Sequence, residues 1–503
     1  MSEQPDFRVA IVGAGFSGLG AAIRLKQRGV EDFVILEKAA GVGGTWWANT
    51  YPGCQCDVAS NLYSLSAAPN SDWTRTYSHQ PEIQAYLESL IERFDLASQL
   101  RLGNEVLGAD WDEDEMLWRL ETTSGALTAR FLIGGIGPLS EPALPDVTGL
   151  ESFEGTIFHS ARWDHAHDLR GERVAVVGTG ASAIQFLPRI QPHARQIHLF
   201  QRTPPWVMPH PDRPITRLER WLYRAIPALH RANRLFIYLS REWMALGLTR
   251  HRWMLAPLRG IGRMHLRRQV RDPELRRKLE PSYELGCKRI LVSDDWYPAL
   301  TEPNVEVIDK GIAEVRPRSV VAADGTEREV DTIILGTGFR VTDFLGARVI
   351  RGVGGKSLAE RWNGSPRAFL GTAIADFPNF FMLLGPNTGL GHNSVVYMIE
   401  SQLEHVMRCL DELERRGAAS VEVTPEAQER FNQAVQERMP PTVWNSGGCA
   451  SWYIDRTGVN STIWPGLTWR FRLLAKAIRP DDYRFEPAPA QPAAPVPAQE
   501  VAA

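Results

Sequence analysis

The stretch RVAIVGAGFSGLGAAIRLKQRGVEDFVILEK leaves its residues little choice of fold. An apolar run, a glycine-rich turn, a segment of helical period and a second apolar run make a βαβ unit of a parallel sheet. Gly13 permits the tight turn, Gly15 lets backbone approach a pyrophosphate, and Gly18 lets the helix close on the strand. The helix N-terminus then aims its free N–H groups at the phosphates. Glu37 ends the second strand about twenty residues on, where a carboxylate accepts from ribose hydroxyls and repels a 2′-phosphate. The ligand expected here is FAD or NAD rather than NADP.

The pattern recurs at RVAVVGTGASAIQFLPRI…QIHLFQRT, with Gly178 and Gly180 in the turn, Ala183 in the third glycine's place and Ser182 opening the helix. This second strand ends in Gln201, Arg202 and Thr203, a guanidinium and a hydroxyl suited to a 2′-phosphate. The second ligand is therefore read as NADPH. Two nucleotide sites of opposite preference in one chain imply hydride transfer from NADPH to a flavin.

Between the two halves of the second unit, residues 211–282 are helical in period and rich in arginine. The plain reading is an inserted helical subdomain; a basic amphipathic surface touching membrane lipid or an acidic partner is the lesser one. The run REVDTIILGTGFR gives a buried strand ending in Gly336 and Gly338, and FPNFFMLLGPNTGLGHNSVVYMIESQ gives a strand, a turn and a helix. The fold class is α/β, with two Rossmann-like dinucleotide-binding domains and the helical insertion. The expected division is 1–148 (first domain, first part), 149–166 (hinge), 167–210 (second domain, first part), 211–282 (insertion), 283–340 (second domain, second part), 341–486 (first domain, second part) and 487–503 (a disordered Pro/Ala-rich tail).

A formal charge of −3 over 503 residues gives no case for a nucleic-acid partner. No apolar run approaches a membrane span, and no signal peptide is read in MSEQPDFRVAIVGAG. The five cysteines are scattered and odd in number, without metal-ligand spacing, so no metal is expected and a reducing, cytoplasmic setting is. Cys54 and Cys56 lie too close together for the redox motif of a disulfide reductase.

Two longer patterns carry a family resemblance. GGTWWANTYPGCQCD, from Gly43 to Asp57, matches GGxWxxxxYPGxxxD, and FEGTIFHSARWD matches FxGxxxHxxxW followed by Pro or Asp, through Phe153, Gly155, His159, Trp163 and Asp164. With both in order between the two nucleotide units, the chain resembles the type I Baeyer–Villiger monooxygenases from about Arg8 to Pro465. The resemblance implies FAD, NADPH and O2, with a ketone converted to an ester or lactone through a C4a-peroxyflavin. It makes 153–164 a hinge that His159 positions, without acid–base work. It assigns catalysis to Arg289, 2′-phosphate binding to Lys288 and the positioning of Arg289 to Asp57. It further lays Gly44, Thr45 and Trp46 along the flavin and puts Trp452 on a loop covering the nicotinamide. Other functional readings are a flavin monooxygenase acting on nitrogen or sulfur and an NADPH oxidase or flavin redox module.

Overall fold

The computed structural model describes residues 4–341 and 346–487. Its first sheet has eight strands. In chain order these are β1 (Phe7–Val12), β2 (Phe33–Leu36), β3 (Leu100–Arg101), β4 (Val106–Asp112), β5 (Leu117–Thr122), β6 (Gly125–Gly134) and, much later, β12 (Ile350–Arg351) and β13 (Phe380–Met382). The spatial order is β12-β4-β5-β6-β1-β2-β3, with β13 alongside the end of β6. β1 lies between β2 and β6 in parallel register, Val12 opposite both Leu36 and Gly134.

The second sheet has five strands, β7 (Thr156–His159), β8 (Arg173–Val177), β9 (Gln196–Phe200), β10 (Val305–Ile308) and β11 (Thr332–Leu335), in the order β10-β9-β8-β11-β7. All of its pairings are parallel. Strands buried on both faces explain the continuous apolar runs in the sequence. Residues 156–159, assigned to a hinge by the sequence, are thus an edge strand of this sheet, and residues 135–155 make the crossing.

The two units solve the same steric problem alike. Gly13 and Gly178 turn the chain at φ +98° and +102°, and a Cβ on either would strike a carbonyl oxygen, Gly135 O at 2.6 Å or Gly336 O at 2.5 Å. Each turn rests on a second glycine just past the neighbouring strand, where a Cβ would itself come within 3.0 Å of Gly18 N (Gly135) or 3.2 Å of Val177 O (Gly336). α1 (Phe16–Lys26) and α2 (Ala181–Ile190) follow the turns. Gly18 is the tightest point, since a Cβ there would sit 1.8 Å from Gly13 O.

The insertion consists of α3 (Arg217–Ala225), α4 (Pro227–Thr249), α5 (Ala256–Gln269) and α6 (Pro273–Leu279). α7 (Val395–Arg416) then covers α1, and a side chain at Gly20 would meet its Leu403 at 3.0 Å. α8 (Thr468–Lys476) packs along α7. At the C-terminal end the structure corrects the sequence: Tyr483–Pro487 is a strand paired with Ala418–Val423, so Pro487 is ordered and not the start of a tail. Its Tyr483 and Phe485 supply apolar contacts to the core. The remaining tail, 488–503, lies outside the described residues.

Gly18→Ala is expected to cost roughly 1–3 kcal/mol or more by overpacking and to strip the flavin. The visible spectrum of the purified variant and its Tm would show both effects.

Candidate active site

Asp57 and Arg289 meet where the two nucleotide units face each other. Asp57 closes the loop after Thr45–Ala48 of the first unit, and Arg289 lies just before the short strand Leu291–Val292 in the second. Arg289 donates from Nε and Nη2 to the two carboxylate oxygens of Asp57, at 2.6 and 2.5 Å. This fork-to-fork pair fixes the guanidinium plane. The Asp57 charge raises the Arg289 pKa further above its ordinary value, against desolvation, so the residue is a permanent cation. Its side chain is 43% accessible, whereas that of Asp57 is 17% accessible. The Nη1 group makes no hydrogen bond among the described residues, so it remains a free donor.

The loop bearing Asp57 is clamped to α2 by a residue that the sequence reading missed. Gln185 accepts from Tyr51 Oη at 3.0 Å and from Gln55 N at 3.2 Å, and donates to Gln55 O at 3.0 Å. Ser182, on the same helix, lies beside the Tyr51 hydroxyl. Gly53 must be a glycine, since a Cβ would lie 2.7 Å from Gln185 O. Only the YPG within the longer pattern hinted at this contact; one polar residue on a helix face carries no signal of its own.

The second unit gathers cations beside its turn. Lys288 is half-buried over the Tyr283 ring, and both burial and the Arg202 charge lower its pKa. Neither Lys288 nor Arg202 has an ion-pair partner among the described residues. Thr203 O accepts from Thr179 Oγ1 at 3.2 Å, tying the end of β9 to the glycine turn. A Cβ on Gly180 would meet nothing within 4 Å, so the turn's backbone opens onto free space. A pyrophosphate on the turn and a 2′-phosphate between the two cations fit these groups.

The first unit fits FAD in the same way. Glu37 is buried, with Oε2 accepting from Ala14 N at 2.7 Å and Oε1 from Ala39 N at 2.8 Å, leaving each oxygen a lone pair for a ribose hydroxyl. Gly44 adopts φ +56°, and a Cβ there would come within 3.1 Å of Gly15 Cα, so the two glycine turns of the unit close on one another. Thr45 starts the short helix, while Trp46 is buried and packs its ring edge-on against Tyr63 at 5.7 Å. Trp46 is thus also a core residue.

His159 is buried at the end of β7 and accepts from Ala161 N at 3.1 Å through Nδ1. Burial pushes its pKa down to about 4, so the ring is neutral. Gly155 is required because the Asp331 carbonyl lies 2.2 Å and the Phe153 ring 2.6 Å from where its Cβ would be. Trp163 packs on Phe158 and on Phe186 of α2, at 5.1 and 5.3 Å.

A second correction concerns the cysteines. Cys287, immediately before Lys288, is joined to Cys449 by a disulfide across 162 residues, a pairing that an odd count and wide scatter did not suggest. It ties the turn bearing Arg289 to the loop bearing Trp452. Trp452 is exposed, with its ring edge-on to buried Tyr453 at 4.5 Å, and Tyr453 in turn lies within electrostatic range of Arg289.

Residues 10–245 match the family model described as pyridine nucleotide-disulphide oxidoreductase. Within that stretch Cys54 and Cys56 form no disulfide: both are buried, and burial pushes the Cys54 thiol up to about 12. A Baeyer–Villiger monooxygenase of Streptomyces coelicolor is 49% identical over 486 residues, covering 96% of this chain and 94% of the relative. The chain belongs to the Baeyer–Villiger monooxygenases. Another, from Pseudomonas aeruginosa, is 48% identical over 497 residues, covering 97% of this chain and 94% of the relative. The crystal structure of a cyclohexanone monooxygenase from Rhodococcus sp. Phi1 bound to NADP+ superposes with a TM-score of 0.85 at 30% identity, covering 96% of this chain and all of that one. An oxidized steroid monooxygenase bound to NADP gives 0.83 at 31%, with 96% and 100% covered. The monooxygenase accordingly uses FAD, NADPH and O2 to convert a ketone to an ester or lactone. No helix among the described residues is long and apolar enough to cross a membrane.

Gln185→Ala removes all three contacts to the Asp57 loop and leaves their partners unpaired. The expected loss is about 1–3 kcal/mol, read from urea unfolding of the holoenzyme.

Proposed function

We propose that Arg289 supplies the positive charge on which oxygen insertion depends, that Asp57 holds it in position, and that Lys288 and Arg202 select NADPH. The observation that carries this reading is the two-pronged Asp57–Arg289 pair, partly accessible to solvent and with its third nitrogen free. Bound flavin, once reduced by NADPH, supplies the activated oxygen. The chain's own task is to stabilise negative charge during transfer to the ketone, and a guanidinium does so without giving up a proton. Asp57 uses Nε and Nη2, which leaves Nη1 to donate to the developing charge. The buried, neutral His159 suits a positioning role at the sheet edge and not proton transfer. Exposed Trp452 suits a cover over the nicotinamide end. Reliance on NADPH supports a cytoplasmic setting, while the Cys287–Cys449 disulfide weighs against a fully reducing one.

Arg289→Ala should still reduce its flavin when given NADPH anaerobically, but ester formation should fall about a hundred- to a thousandfold, with hydrogen peroxide released instead. Stopped-flow absorbance and product analysis follow the two halves; near-normal ester formation would sink the assignment. Asp57→Ala should show a weaker form of the same defect.

Arg202→Ala should raise KM for NADPH roughly ten- to a hundredfold and spare NADH. Lys288 sets a pH dependence. Its pKa is lowered in the free protein and rises when a phosphate binds, so NADPH affinity is full below the free pKa and declines as pH climbs above it. KM for NADPH should therefore rise with pH in a range below that of an ordinary lysine, while KM for NADH stays flat. Parallel behaviour of the two cofactors would refute the phosphate site.

A further inference from the structure

α4 is built inside out. His230, Arg234, Tyr238 and Glu242, spaced four apart on one face, all turn into the protein. His230 bonds Asn61 Oδ1 at 3.2 Å, Arg234 donates to Ser64 O at 2.9 Å, and Tyr238 bonds Thr468 Oγ1 at 3.0 Å. Glu242 accepts from Asn393 Nδ2 at 2.8 Å and from Thr468 N at 3.0 Å. The opposite face carries Leu229, Phe236, Leu239, Trp243 and Leu246 at intervals of three, four and seven, and all are exposed, Phe236 to 71%. A helix with water on its outer side has the reverse pattern.

Neighbouring elements extend the face. Tyr223 of α3 stacks on His230 at 5.0 Å, and α3 exposes Leu218 and Trp221. α8, joined to α4 through Thr468, exposes Trp469 and Leu473, and Trp253 beyond the end of α4 is 74% exposed. The surrounding charge is predominantly positive: residues 211–282 hold seventeen Lys and Arg against six Asp and Glu, a net +11 in a chain whose total is −3, although Arg224, Arg234 and Arg259 pair with Asp72, Glu400 and Glu284 outside the segment. Arg217, Arg231 and Arg250 are exposed and have no ion-pair partner among the described residues.

We propose that this face docks on an anionic lipid bilayer, with the aromatic and leucine side chains entering the headgroup boundary and the free arginines pairing with lipid phosphates. Exposed Trp, Phe and Leu within an arginine rim is the composition of a helix lying in a membrane interface. The charge selects this occupant over a second copy of the chain, because a two-fold contact would set one basic surface, with its unpaired Arg217, Arg231 and Arg250, against another. Docking of this kind places no segment across the bilayer and leaves the cofactor units in water.

The test is flotation of the FAD-loaded, full-length enzyme with vesicles of phosphatidylcholine alone and with vesicles containing roughly one-third phosphatidylglycerol. The enzyme should float with the anionic vesicles, much less with the neutral ones, and should be released by high salt. Phe236→Gln should lower partitioning roughly tenfold, and Arg231→Gln about fivefold, with ketone turnover in lipid-free buffer unchanged. Leu473→Gln, on a different helix, should repeat the loss should Phe236→Gln fold poorly. Absence of flotation with anionic vesicles would overturn the proposal. So would a lipid-free dimer, seen by sedimentation equilibrium, that Phe236→Gln and Leu473→Gln both disperse, since the face would then belong to a second copy.

Discussion

The ion pair between Asp57 and Arg289 spans the joint of this enzyme. Its acid comes from the flavin unit and its base from the NADP unit, so neither domain contains the completed group. The surrounding contacts serve this one geometry. Gln185 holds the acid's loop against α2, and the Cys287–Cys449 bridge fixes the approach to the base. A pair whose long guanidinium side chain is part-exposed would otherwise lose much of its attraction to screening and to rotamer entropy.

The nucleotide units were legible in the sequence because their signals are local. Gly13, Gly18 and Gly178 each answer a clash within one turn or with the adjoining strand, and Glu37 and Arg202 sit at fixed offsets from those turns. The strands announced themselves by burial on both faces. What the sequence did not disclose arises between segments far apart. The Gln185 clamp joins residues more than a hundred positions apart, and the disulfide joins residues 162 apart. Neither leaves a period or a spacing to read. Trp46 and Trp452 show the same limit: the sequence could place both beside a cofactor, but not tell that the first is buried against Tyr63 while the second stands in solvent.

The helical insertion was legible as helical and basic, but its orientation was not. Amphipathic period alone gives two faces and leaves open which turns inward. In α4 the deciding partners, Asn61, Ser64, Asn393 and Thr468, come from three other parts of the chain. Hydrogen bonding to a buried polar row outweighed the burial of an apolar one, an outcome that only the tertiary surroundings can fix.

The flavin unit is assembled from both ends of the chain. β13 pairs Phe380–Met382 with Leu132–Gly134 of β6, and α7 covers α1, whereas every strand of the NADP sheet falls between Thr156 and Leu335. During synthesis the two units therefore finish in the reverse of the order in which they begin. A ribosome adding roughly 5–20 residues per second needs on the order of tens of seconds to pass from β6 to β13. Through that interval the end of β6 is paired on one edge by β1 but lacks its partner on the other, and the outer face of α1, with Gly20 at its centre, lacks its cover. The NADP unit is by then a closed body. The nascent enzyme thus carries an unpaired, apolar sheet margin on its oldest residues, and this is where a holding chaperone would find the most to bind.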